Sequence, residues 1–145
     1  MAINVKCIQR SNPQNRSSVK WYPIQNTEER LEEDEVAEQI SDETTLNPSE
    51  ALMAIRQLRK VVTSALLNGN SVKLGNWGTF SVALKTTGAD SKAELSAKNI
   101  EQVNIRFTPG SEVKAEMQKA KFTWINKDSD DEEADEEEES SESEE

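Results

Sequence analysis

The apolar residues of this chain change their period at Gly69. Before it, Leu52, Ile55, Leu58, Val62 and Ala65, with Leu66 alongside, recur at three- and four-residue steps, which places them on one helix face. Asn47 is a good N-cap, Pro48 suits the first helical position, and Glu50 stands three after the cap as in a capping box. Gly69 closes that helix. From residue 71 the period is two: Val72 and Leu74, then Phe80, Val82 and Leu84, then Val103, Ile105 and Phe107. Gly75-Asn76-Trp77-Gly78 breaks the first alternation, the polar stretch 85–98 separates the second from the third, and Pro109-Gly110 ends the last. A capped amphipathic helix running into alternating strands predicts an α+β fold with a three-stranded sheet.

The flanks add smaller elements. Ile3, Val5 and Cys7 alternate, Ser11–Ser18 is rich in Asn, Pro and Ser, and Val19-Lys20-Trp21-Tyr22 follows; this predicts two strands joined by a long loop. A lone hairpin is marginal, so it should dock on something else. Residues 27–46 are expected to form a helix opened by Asn26 or Thr27, with Glu28 and Glu29 at its positive end and a thin stripe of Leu31, Val36, Ala37 and Ile40. Ser111 is expected to cap a third helix with contacts from Val113, Met117 and Ala120, extending to Phe122 and Trp124. Beyond Asn126 only Lys127 and Ala134 interrupt Asp, Glu and Ser, a composition that cannot bury a core and predicts disorder. The expected organisation is a hairpin extension (1–26), a core domain (27–125) and an acidic tail (126–145).

The formal charge of −11 hides an uneven distribution. Residues 128–145 carry thirteen acids and no base, and residues 28–43 carry nine acids and only Arg30. Residues 1–27 carry four bases and no acid, and residues 44–127 twelve bases against six acids. A basic body with an acidic appendage suits a polyanion ligand.

Several function classes are excluded. With one cysteine and no histidine there is no internal disulfide, no His/Cys metal site and no His-activated nucleophile. Ser17-x-x-Lys20 and Ser111-x-x-Lys114 match a serine–lysine pattern too short to mean more than chance. Asp128-x-Asp130 lacks the glycine a calcium loop requires, and no phosphate-cradling Gly-rich loop occurs. No catalytic residue, metal or cofactor is expected. Without an 18-residue apolar run or a secretory signal, the expected location is the cytoplasm and no membrane contact is expected.

The order helix–helix–strand–strand–arm–strand–helix, with Leu74-Gly75-Asn76-Trp77-Gly78-Thr79-Phe80 at its centre and Phe107-Thr108-Pro109-Gly110 before the last helix, resembles the HU/IHF histone-like DNA-binding family. That family carries a Gly-aromatic-Gly-x-Phe signature and, after its arm, a Phe-x-Pro-Gly step. Asn12-Pro13-Gln14-Asn15 and Lys20-Trp21-Tyr22-Pro23 further resemble the N-terminal extension of HU-related histone-like proteins of the Bacteroides group. The resemblance implies an HU/IHF-like intertwined homodimer. Its helices would form the body, and its sheets a saddle from which two β-arms reach around the minor groove of double-stranded DNA in the bacterial nucleoid. On this reading Trp77, Phe80 and Phe107 pack the core and dimer interface.

The candidate DNA contacts are Lys73, Lys85, Lys92, Lys98 and Arg106 on arm and saddle, with Lys114 near the start of the last helix. If Ile105 and Phe107 face inward, Arg106 faces out. Such residues neutralise phosphates rather than read bases. The arm differs from HU arms: 26 residues separate Phe80 from Phe107, and the tip region Thr86–Ser91 has neither Arg nor Pro and contains Asp90. A proline wedge that kinks DNA is therefore missing. The expected function is architectural, non-sequence-specific DNA binding damped by the acidic tail. The alternative is a protein-interaction module on the same scaffold, whose acidic segments bind basic proteins.

Overall fold

The structure is a computed structural model that describes residues 1–126. Six strands and three helices follow in the order β1 (Ile3–Asn12), β2 (Asn15–Gln25), α1 (Glu33–Glu43), α2 (Pro48–Leu67), β3 (Val72–Leu74), β4 (Gly78–Thr86), β5 (Ile100–Pro109), α3 (Ser111–Met117) and β6 (Phe122–Trp124). They make two three-stranded sheets, ordered β2-β1-β6 and β3-β4-β5. The chain divides into two compact units, residues 31–119 and, among the described residues, 1–30 with 120–126.

In the larger unit, α2 forms as its signals predict. The Asn47 side chain accepts from the Glu50 N–H at 2.9 Å, and the Glu50 carboxylate accepts from the Asn47 N–H at 3.0 Å. Gly69, at φ +81°, closes the last turn. Helix α1 packs against α2, with Ala37 and Ala51 both buried. It is shorter than the expected 27–46. Asn26 donates its N–H to the Asn4 carbonyl at 2.8 Å and the Asn4 amide donates to Glu28, so this stretch continues the strand region instead of opening a helix. The helix begins only where the Glu35 carboxylate accepts from the Glu32 N–H, at 2.7 Å.

In the smaller unit, β1 and β2 pair antiparallel, but not through the long loop expected. The turn is Pro13-Gln14, because Asn12 pairs with Asn15 and the Asn12 side chain accepts from the Gln14 N–H. The register jumps between Ser11, opposite Val19, and Asn12, so Arg16, Ser17 and Ser18 bulge from β2. The third helix ends at Met117, and Gly110, not Ser111, is its N-cap. Phe122 and Trp124, expected to extend that helix, lie in β6, which pairs parallel with β1 through Ile3–Phe122 and Val5–Trp124. Aromatic and β-branched residues suit a strand, and the free edge of β1 supplies the partner. Asn126, the first residue of the expected tail, is hydrogen-bonded to this sheet: its side chain accepts from the Cys7 N–H at 2.8 Å and donates to the Cys7 carbonyl at 3.3 Å. The remaining tail, 127–145, and its expected disorder lie outside the described residues.

The buried apolar side chains among the described residues are Val5, Ala37, Ala51 and Leu66. So small a core leaves much apolar surface of the chain open to water.

Candidate nucleic-acid interface

Two sequence-distant steps meet at the base of the larger unit's sheet. Gly78 pairs with Pro109, and Gly110 donates its N–H to the Trp77 carbonyl at 2.9 Å. A Cβ on Gly110 would lie 2.0 Å from the Asn76 carbonyl oxygen, and one on Gly78 would lie 2.5 Å from that of Thr108. Neither position admits a side chain. Asn76 Nδ2 also donates to Glu112 Oε2 at 2.8 Å, which ties the turn to the first residues of α3. The Gly-x-x-Gly and Pro-Gly steps are thus two halves of one backbone junction.

Above the junction sit Trp77, Phe80 and Phe107. Their ring centroids are 4.9 to 5.7 Å apart, and Trp77 meets Phe80 edge-on at 76°. Expected to pack a core and dimer interface, these rings are only partly covered within the single chain: Trp77 is 51% exposed.

Strand register sorts the rest. Phe80 lies opposite Phe107, Val82 opposite Ile105 and Leu84 opposite Val103, with Val72 beside Phe80; these form one apolar face. The alternate positions form the other. There Lys73 pairs with Thr79, Thr79 with Thr108, Ser81 with Arg106, Ala83 with Asn104 and Lys85 with Gln102. Lys73, Lys85 and Arg106 therefore share a face with three hydroxyls and two amides, which is chemistry suited to phosphate oxygens. Thr79, Ser81 and Thr108 were not singled out from the sequence, although they occupy the off-beat of the same apolar alternation. Lys85 Nζ lies 3.5 Å from Glu101 Oε2, because the register slips between Lys85 and Thr86 and brings Glu101 within reach.

The other candidates are placed elsewhere. The β4–β5 ribbon stops at Thr86 and Ile100, and residues 87–99 between them form two short 3₁₀ turns, not strand. Asn99 clamps this tip: its carbonyl accepts from the Thr87 N–H at 2.8 Å and its side chain donates to the Thr87 carbonyl. Lys92 and Lys98 lie in the tip turns, and Lys114 is exposed on α3. The structure thus brings three of the six together on one sheet face and leaves three apart. Helix α2 carries two further guanidiniums, Arg56 and Arg59, which lie 3.3 and 3.9 Å from Glu33 of α1 and offset part of that helix's acidity.

Opposite the basic face, Leu66 and Leu67 at the end of α2 line an apolar concavity with Val82, Val103 and Ile105. Ile105 is 65% exposed there and Val103 60%. Among the described residues no cluster of His, Cys, Asp or Glu could hold a metal, and no helix is long and apolar enough to cross a membrane.

Residues 1–124 match a protein family described as an HU domain fused to a wHTH, Ig or glycine-rich motif. The chain belongs to this HU-HIG family. Among solved structures, it is similar to a provisionally named bacterial DNA-binding protein from Bacteroides vulgatus. The TM-score is 0.62 at 11% identity, over 86% of this chain and 48% of that one. The likeness is one of fold, and this chain spans about half the length of that neighbour. No curated protein sequence matches.

Proposed function

We propose that this HU-HIG member is a non-enzymatic architectural DNA-binding protein of low sequence specificity, acting as a homodimer. Lys73, Lys85 and Arg106 on the polar face of the β3-β4-β5 sheet are assigned to the phosphate backbone. The observation that carries the reading is the two-faced sheet: cations and hydroxyls alternate with apolar residues that the protomer leaves uncovered. An uncovered apolar sheet face favours a second copy over the monomer, and Trp77, Phe80 and Phe107 would complete their packing at that interface. Lys92 and Lys98 would extend the contact along the arm toward the minor groove, and Lys114 would add to it at α3. Supporting the reading, the structural neighbour from Bacteroides vulgatus is itself named for DNA binding.

The alternative, a protein-interaction module, draws on the tip, where Asp90 stands without Arg or Pro, and on the Lys85–Glu101 pair. Titration of a short duplex against salt separates the two. The three sheet-face contacts per protomer alone give a dimer a log–log slope of about −5, and Lys92, Lys98 and Lys114 would steepen it further. Absence of binding at about 50 mM salt, where phosphate contacts count heavily, overturns the DNA reading.

A further inference from the structure

The smaller unit has a basic surface of its own. On one face of β1–β2, Arg10 lies directly opposite Lys20, and Ile8 opposite Tyr22. Like charges at directly paired positions destabilise a sheet unless something lies between them. None of Arg10, Arg16 and Lys20 forms an ion pair among the described residues, and residues 1–27 contain no acid that could supply one locally. The surface is concave here. Arg10, Lys20 and Tyr22, with Ser18 and Pro13, line a hollow of about 370 Å³, within the range of ligand clefts, roughly 300–1,000 Å³. Arg16 lies in the bulge that separates the Val19 and Asn15 pairings, two residues before Ser18 of the hollow.

We infer that this end of the hairpin is a second nucleic-acid contact, in which Arg10 and Lys20 share a backbone phosphate and Tyr22 packs against the adjoining sugar or base. The inference rests on the DNA-binding reading and deepens it. A guanidinium beside an ammonium suits a phosphodiester, which offers several acceptor oxygens at once. The aromatic ring on the same face fits a nucleotide better than it fits a chain of carboxylates. The hairpin is thereby assigned to the ligand and not to folding alone.

The test compares the full chain with its R10Q/K20Q variant, both side chains being exposed and the changes keeping most of their length. A 30-base-pair duplex is titrated across salt. The variant should bind at least tenfold more weakly at low salt, with a slope shallower by about 2, because the dimer loses one shared phosphate from each protomer at about 0.9 apiece. Unchanged affinity and slope in the variant, with the parent chain binding, overturn this inference and leave the proposed function standing. Failure of the parent chain to bind overturns the proposed function itself. The same pair is then measured in chains ending at Lys127. If the difference between parent and variant persists, Arg10 and Lys20 meet DNA directly. If it vanishes, the acidic residues 128–145 are their ligand and the inference is wrong.

Discussion

At Gly110 the chain passes the Asn76 carbonyl so closely that a Cβ would lie 2.0 Å from its oxygen, and both partners are backbone. No rotamer change relieves such a contact. Gly110→Ala must open the junction that joins Trp77 to α3, and a loss of about 1–3 kcal/mol is expected, as for overpacked sites. Gly88→Ala is the matched control, since nothing lies within 4 Å of its Cβ. It should be neutral or stabilising by up to about 1 kcal/mol. Equal melting temperatures for the two variants would remove the junction from the account. The cations follow a different rule: they lie on an exposed sheet face and hold no structure together. Lys73→Gln and Arg106→Gln should each leave melting unchanged and lower the salt slope of duplex binding by about 2, since a dimer loses one phosphate contact from each protomer at about 0.9 apiece. Lys85→Gln should do less, because Glu101 already stands 3.5 Å from its ammonium.

Strand β6 shows how an element can be set by a distant partner. Phe122-Thr123-Trp124 is too short to reveal a period, and a helical stripe running on from Val113 and Met117 fits it equally well. What decides it is the edge of β1, more than a hundred residues away, with Ile125 donating to the Val5 carbonyl at 3.0 Å and Asn126 bonded twice to Cys7. Asn126→Ala removes two hydrogen bonds worth about 0.5–1.5 kcal/mol each. Amide exchange at Cys7 and Ile125 should accelerate several-fold while exchange within α2 stays unchanged; uniform exchange rates would contradict this pairing. The same distinction governs legibility elsewhere. Helix α2 and the apolar beat of β3, β4 and β5 are readable because their signals are local: a cap, a proline, a glycine and two clean periods. Lys73 and Arg106 were legible as the off-beat of those strands. The late start of α1 was not, because the Asn4 contacts that hold residues 26–28 in place come from another element. Neither was the Lys85–Glu101 pair, which depends on a register slip.

At the scale of the molecule, a chain whose buried apolar side chains, among the described residues, are Val5, Ala37, Ala51 and Leu66 has little to hold it together alone. Ile105 tests whether a second copy covers the sheet. It is 65% exposed in the protomer, so Ile105→Asp removes little packing within one chain but places a charge on the proposed interface. Sedimentation should show the parent as a dimer at micromolar concentration and the variant shifted toward monomer; a parent that is a folded monomer refutes the homodimer. The proposed DNA binding also makes a prediction for the acidic tail, through its charge. Residues 128–145 carry thirteen acids, and they follow Asn126, which is anchored at Cys7. A covalently attached segment reaches a nearby basic surface at an effective concentration of about millimolar, enough for weak carboxylate contacts to compete with DNA. Deleting residues 128–145 changes the formal charge from −11 to +2. Duplex affinity should rise by about tenfold or more at low salt, and the gain should shrink as salt rises, because screening weakens tail and phosphate contacts alike. The comparison is made at matched salt with the same duplex. A gain that persists undiminished into high salt would mean that the tail acts by blocking space, and no gain at any salt would mean that it does not meet the DNA-binding surface at all.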